Sequence, residues 1–160
     1  MSNTKIIGID PAFRQKGIGF CELYGNQVTF KKYSINELLT EIVNGHFKNS
    51  IVCIEDSYIQ NCSFDLTGKK AEIARKSRNV GMNQAVSSIL CRCLEFRCLK
   101  LVRLSPREKG SKIDNTVVTD TCNRKKWVTN KKRTNQDDRD AFKLMAIAEK
   151  RYKYKMILKN

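Results

Sequence analysis

Lys5-Ile-Ile-Gly-Ile-Asp-Pro11 is a short apolar run closed by an acid, and Ser50-Ile-Val-Cys-Ile-Glu55 ends the same way. Apolar, β-branched runs of about four to eight residues read as buried strands. A carboxylate where the chain leaves a sheet is costly unless it is solvated or meets a positive group, and strand ends are where α/β sheets place ligands. Working outward, Gly17-Ile-Gly-Phe-Cys-Glu-Leu-Tyr24 is a further strand, and Gly25-Asn26 turns it into Gln27-Val-Thr-Phe-Lys-Lys-Tyr33. Ser34 with Glu37 makes a capping-box pattern opening a helix to about Phe47, with Leu38, Leu39, Ile42 and Val43 on one face. After a Gly- and Asn-containing loop comes a helical stretch from about Lys70 to Phe96, then a fifth strand at Cys98–Leu104, closed by Ser105-Pro106. Residues 107–134 are basic and weakly patterned, with room for a short helix between loops. A last helix spans about Gln136 to Tyr154, with Ala141, Leu144, Met145 and Ala148 inward. This order predicts an α/β fold, one domain over residues 1–160 with a five-stranded mixed sheet flanked by helices, its first three strands a meander.

The 160 residues include 31 Lys+Arg against 16 Asp+Glu, a formal charge of +15, with 41% hydrophobic residues. That apolar content excludes a disordered chain, and the length suffices for a core. No apolar run approaches the ~18 residues of a membrane helix. The start enters a strand without a signal core, and the seven irregularly spaced cysteines argue against a secreted disulfide framework. The expectation is a soluble cytoplasmic protein with a polyanionic partner. Residues 1–68 carry a net −1, residues 69–133 +13 and residues 134–160 +3. Within the basic segment, at about 105–134, Arg124-Lys-Lys-Trp-Val-Thr-Asn-Lys-Lys-Arg133 holds six cations and no acid. A merely solvated loop is the bland reading. Nucleic-acid contact is favoured, with Lys131, Lys132 and Arg133 on phosphates and Trp127 stacking on a base.

Asp137 and Asp140 lie three apart on the last helix and share a face, whereas Asp138 points away and reads as a helix-start residue. If that face meets the sheet beside Asp10 and Glu55, four oxygen donors converge, a set that suits Mg²⁺ or Mn²⁺. Two such ions about 4 Å apart clamp both oxygens of a phosphodiester displacement. Each acid also has a plainer role: Thr134–Asp137 and Asn135–Asp138 are capping-box patterns, and Asp10-Pro11 can open a turn. Spacing alone leaves both readings open. His46, the only histidine, reads as a partly exposed helix residue and supports no Ser-His-Asp device. Cys91, Cys93 and Cys98 lack zinc spacing and read as packed thiols.

Taken together, Ile6-Ile-Gly-Ile-Asp-Pro-Ala-Phe-Arg14 with Gly17-Ile-Gly-Phe20, Val52-Cys-Ile-Glu-Asp-Ser-Tyr58, Arg78-Asn-Val-Gly-Met82 and Asp137-Asp-Arg-Asp-Ala-Phe-Lys-Leu-Met-Ala146 resemble the RuvC-type Holliday junction resolvases of the RNase H-like superfamily, in their phage or viral branch. The resemblance implies a structure-selective, Mg²⁺-dependent endodeoxyribonuclease of recombination and repair. It would resolve four-way junctions by paired phosphodiester hydrolysis, leaving 5′-phosphates, in the host cytoplasm if phage-encoded. Asp10, Glu55, Asp137 and Asp140 match the catalytic metal ligands, holding two Mg²⁺ ions for which Mn²⁺ would substitute. Tyr58 falls where an aromatic stacks at the junction centre, Arg78 belongs to a DNA-contacting motif, and Lys109 and Lys112 fall near phosphate-binding lysines. A homodimer on branched DNA is implied, with Gly81, Ala85 and Ser88 a small-residue face for close helix packing, either in the core or on a partner copy. The alternatives are a looser nuclease of forks or flaps and a non-catalytic junction-binding protein.

Overall fold

The computed structural model describes residues 4–11, 17–59 and 68–157, with side chains described to residue 152. The chain runs β1 (Lys5–Asp10), β2 (Ile18–Tyr24), β3 (Gln27–Tyr33), α1 (Ile35–Val43), β4 (Ser50–Glu55), a 3-10 turn (Ser57–Ile59), α2 (Lys70–Glu95), β5 (Lys100–Leu104), α3 (Pro106–Lys109), α4 (Asn115–Lys125), β6 (Val128–Thr129) and α5 (Gln136–Ile157). The strands form one mixed sheet in the order β5-β4-β1-β2-β3-β6. β1, β2 and β3 are the expected antiparallel meander, and β4 lies parallel to β1 with β5 parallel to β4.

Six strands replace the five expected. The added one, β6, has two residues and pairs parallel with β3 inside the stretch that carried no pattern. A two-residue strand is too short to show alternation. Its end is reinforced by Asn130, whose side-chain oxygen accepts from the Phe30 amide at 2.9 Å and whose side-chain nitrogen donates to the Phe30 carbonyl at 3.2 Å. The same stretch holds α4, capped by the Asp114 carboxylate on the Val117 amide at 3.0 Å. Its β-branched residues mask the helix in sequence. α1 stops at Val43 rather than Phe47, because Gly45 and Asn49 adopt left-handed φ of 84° and 64° and turn the chain into β4. His46 therefore sits in that turn, not on a helix, and contacts Glu22 Oε2 at 2.8 Å.

Strand alternation divides the core. On one face Ile7, Ile9, Ile18, Phe20, Val52 and Ile54 pack against α1 and the C-terminal part of α2. On the other, Ile6, Cys21, Leu23, Val28, Phe30, Ile51 and Cys53 pack against α5. α5 lies unusually close to the sheet. A Cβ built on Gly8 would stand 2.0 Å from the Ala141 carbonyl oxygen, and one on Gly19 2.6 Å from the Asp137 carbonyl oxygen. The missing side chains on β1 and β2 are what let the first turns of α5 reach the strand ends. Among the described residues no helix is long and apolar enough to cross a membrane.

Candidate active site

Asp10 ends β1 on the α5 face, two residues beyond Gly8 and directly opposite Gly19 of β2. Glu55 ends β4 on the same face, one step past the Ile9–Ile54 parallel pair. Asp137 and Asp140 come from the first turns of α5, which Gly8 and Gly19 admit. The sheet and one helix thus bring all four predicted acids to one end of the fold.

At their centre stands Lys109, the last residue of α3. Its Nζ lies 3.6 Å from Asp10 Oδ1 and 3.8 Å from Asp140 Oδ2 and contacts Glu55 Oε2 directly, with the ammonium side chain only 13% exposed. Asp137 turns aside to the Lys32 ammonium of β3, 2.7 Å from its Oδ2. Asp140 Oδ1 accepts from Gln136 Nε2 at 2.9 Å. Gln136 is in turn held by Arg139 Nη2 at 2.9 Å, while Arg139 donates to the Thr134 and Ile113 carbonyls at 2.7 and 3.0 Å.

Burial raises the Asp10 carboxyl from 3.8 to about 7; Lys109 opposes this, while Glu55, Asp140 and Asp137 add to it. Burial alone would lower the Lys109 ammonium, but Asp10, Glu55 and Asp140 outweigh it and hold its pKa above the ordinary value. Lys143, one helical turn beyond Asp140, is pulled downward by burial and by the neighbouring Lys109 charge; its ammonium donates to the Ser111 carbonyl.

The donors are carboxylate oxygens only, the chemistry a hard divalent cation requires. Glu55 Oε2 is buried without hydrogen-bond geometry to a described group, its charge met by the ion pair with Lys109. Among the described residues no three acidic, Cys or His side chains form a ligand group on their own. Three carboxylates converge on the ammonium instead. In donor type and charge Asp10, Glu55 and Asp140 fit a divalent ion, and the point they share is taken by Lys109.

The remaining predicted site residues are more dispersed. Tyr58 is 66% exposed on the 3-10 turn, and Arg78 is exposed on α2. Lys112 is exposed in the loop after α3, and Lys132 and Arg133 are exposed before α5. Lys131 is not free: its ammonium lies 2.9 Å from both oxygens of Asp138, which is 1% exposed. Asp138 does cap α5, accepting from the Asn135 amide at 3.1 Å while Asn135 Oδ1 accepts from the Asp138 amide at 3.0 Å. It is thus a buried ion-pair partner as well as a helix-start residue. Trp127 packs edge-on against Phe142 at 6.3 Å, with Lys125 over its ring, so the indole belongs to the core rather than to an open stacking surface. Lys125 is further paired with buried Glu149 at 2.6 Å. The described cysteines are free thiols, as expected; Cys62 and Arg14 lie outside the described residues.

Sequence reasoning missed Lys32, Lys143 and Asp56. Lys32 had a signal, since it alternates with buried Val28 and Phe30 on the α5 face of β3. Lys143 follows Asp140 by three residues and shares its face. Asp56 is fully buried, takes Arg103 Nε at 2.7 Å and Nη2 at 2.6 Å, and accepts from the Tyr58 amide at 3.0 Å. It ties the Tyr58 turn to β5. Its partner comes from another strand, so no local pattern announces it.

No protein-family model matches the chain, and no curated protein matches it. Among solved structures, a Mn-soaked, inhibitor-bound human cytomegalovirus terminase nuclease domain is similar at 10% identity and a TM-score of 0.30, over 91% of this chain and 82% of that one. At that score the likeness carries no argument.

Proposed function

We propose that the chain is a divalent-metal-dependent endonuclease with an RNase H-like fold, and that it resolves four-way DNA junctions in the manner of the RuvC-type enzymes it resembles. The observation that carries this reading is the gathering of Asp10, Glu55 and Asp140 around one cationic point at the ends of β1 and β4. The meander followed by two parallel strands supports it, as does the net +13 of residues 69–133, which suits a phosphate backbone. Asp10, Glu55 and Asp140 would hold the ion, with Asp137 available once Lys32 releases it. A bound Mg²⁺ or Mn²⁺ supplies Lewis acidity and an activated water for in-line displacement at phosphorus. The protein's own part is to hold the carboxylates together and to present Tyr58, Lys112, Lys132 and Arg133 outward. A two-fold dimer would offer one such site to each of two equivalent junction strands. α2 leaves Gly81 and Ala85 exposed for that contact, and a Cβ at Gly81 meets nothing within 4 Å.

The test is incubation with a labelled four-way junction, a fork, a flap and a linear duplex, with and without Mg²⁺, alongside sedimentation of the free protein. Paired Mg²⁺-dependent nicks with 5′-phosphates on the junction alone are expected. Equal cutting of forks and flaps would establish the looser nuclease, and tight junction binding without cutting in any divalent metal would establish a binding protein.

A further inference from the structure

We propose that Lys109 is a displaceable counter-ion of the acid cluster, holding the place of a divalent cation and leaving it when the metal binds. The inference rests on the metal-nuclease reading and adds a residue that competes with the metal. Lys109 Nζ occupies the one point shared by Asp10, Glu55 and Asp140, at 3.6 and 3.8 Å from the first and last and in contact with Glu55. A divalent ion on these oxygens needs that volume, and two cations cannot share it.

Lys109 is also built to leave. It ends a four-residue helix, and Gly110 follows at φ 74°. Its side chain turns on four single bonds, so the ammonium can withdraw without moving the strands that hold the carboxylates. Charge favours the exchange, because one ammonium faces three carboxylates whereas a divalent ion brings twice the charge. Lys143 lies alongside, its ammonium held by the Ser111 carbonyl, and repels Lys109 from that side. Without metal the ammonium keeps buried Asp10 and Asp140 and half-buried Glu55 compatible with the fold, and with metal it becomes an exposed amine.

Two measurements test this. In the wild-type protein, acylation of Lys109 by a water-soluble amine reagent, read by peptide mass spectrometry with and without Mn²⁺, should rise about tenfold on saturation, with Lys112 as the unchanged internal reference. By calorimetry, Lys109→Met should bind Mn²⁺ about tenfold more tightly than wild type, a gain of ~1.4 kcal/mol. Lys109→Arg, which keeps the charge, should not. If wild type binds Mn²⁺ while Lys109 labelling stays constant or falls, the displacement is overturned and the metal reading survives. If neither wild type nor Lys109→Met binds Mn²⁺, both fall. Mn²⁺ binding confined to Lys109→Met would also overturn the displacement, because the lysine would then be a fixed counter-ion that the metal does not move. The labelling arm needs no variant, so a poorly folding Lys109→Met leaves the proposal decidable.

Discussion

The same strands face two different worlds. Towards α1 and α2, β1 and β4 present Ile7, Ile9, Val52 and Ile54, each fully buried in apolar contact. Towards α5, the alternate positions are Ile6, Gly8 and Asp10 on β1 and Ile51, Cys53 and Glu55 on β4. One face is filled by bulk, while the other is pared down at its centre and charged at its end. The second arrangement tolerates its acids only because a helix N-terminal turn and two lysines meet them there. Placement of the acids thus comes from glycine and register, while both faces bury a full apolar cluster.

The comparison breaks most sharply by removing charge from the α5 face. Asp10→Asn or Asp140→Asn should lower Mg²⁺-dependent cleavage by about 10³-fold, the loss of ~4 kcal/mol of transition-state stabilisation, with folding retained by circular dichroism. A variant cutting at the wild-type rate removes that acid from the site. Next in size is the acid one residue from Asp137. Asp138→Ala removes the α5 cap and the partner of Lys131, whose ammonium can turn to solvent, and should cost about 3 kcal/mol in urea unfolding. A cost under about 1 kcal/mol would reduce Asp138 to a cap.

Steric tests sharpen the contrast between the faces. Gly8→Ala must push α5 away from β1 and should cost about 3 kcal/mol, whereas Ile9→Val, one residue on but on the other face, should cost about 1. Equal costs would mean that the close approach of α5 is not what glycine serves.

Smaller still is the pH effect without metal. The folded protein holds the Asp10 proton to about pH 7, whereas the unfolded chain loses it near 3.8. The folded state therefore binds more protons across that window, and stability falls as pH rises through it. In EDTA, Asp10→Asn should flatten this slope and melt above wild type at pH 8, by about 2 kcal/mol; identical melting profiles would refute the buried charge. Smallest is salt dependence. Replacing Lys132 and Arg133 should reduce the slope of log K against log salt by roughly 0.7–0.9 per contact. Lys131→Gln should alter stability more than slope, because Asp138 already holds its charge.

The strands, the capping box of α1 and the shared face of Asp137 and Asp140 were legible because each follows a short-range rule: alternation, a three-residue cap spacing, an i,i+3 helix face. The four acids as one set came from the family resemblance, and three of them meet at Lys109 while Asp137 pairs with Lys32. What escaped was set across the chain. Nothing local marks Lys109 as the centre of the acids, since its neighbours come from β1, β4 and α5. Asp138 and Asp56 look like ordinary surface acids until Lys131 and Arg103 are seen against them. The basic run misled in the same way: it reads as a set of cations open to phosphates, yet Lys125 and Lys131 neutralise buried Glu149 and Asp138. β6 was hidden by its brevity, and α4, expected only as a short helix somewhere in residues 107–134, had its bounds hidden by β-branched composition.

The two margins of the sheet carry a last consequence. Along β3, the Asn130 side chain occupies both backbone groups of Phe30, and β6 covers only two further positions. Along β5, the open margin is five residues long and displays Lys100 and Arg103. Short, capped or cationic margins resist strand addition by another chain. Both borders of this sheet therefore disfavour strand addition by another chain, which leaves helices and loops as the surfaces through which copies would associate.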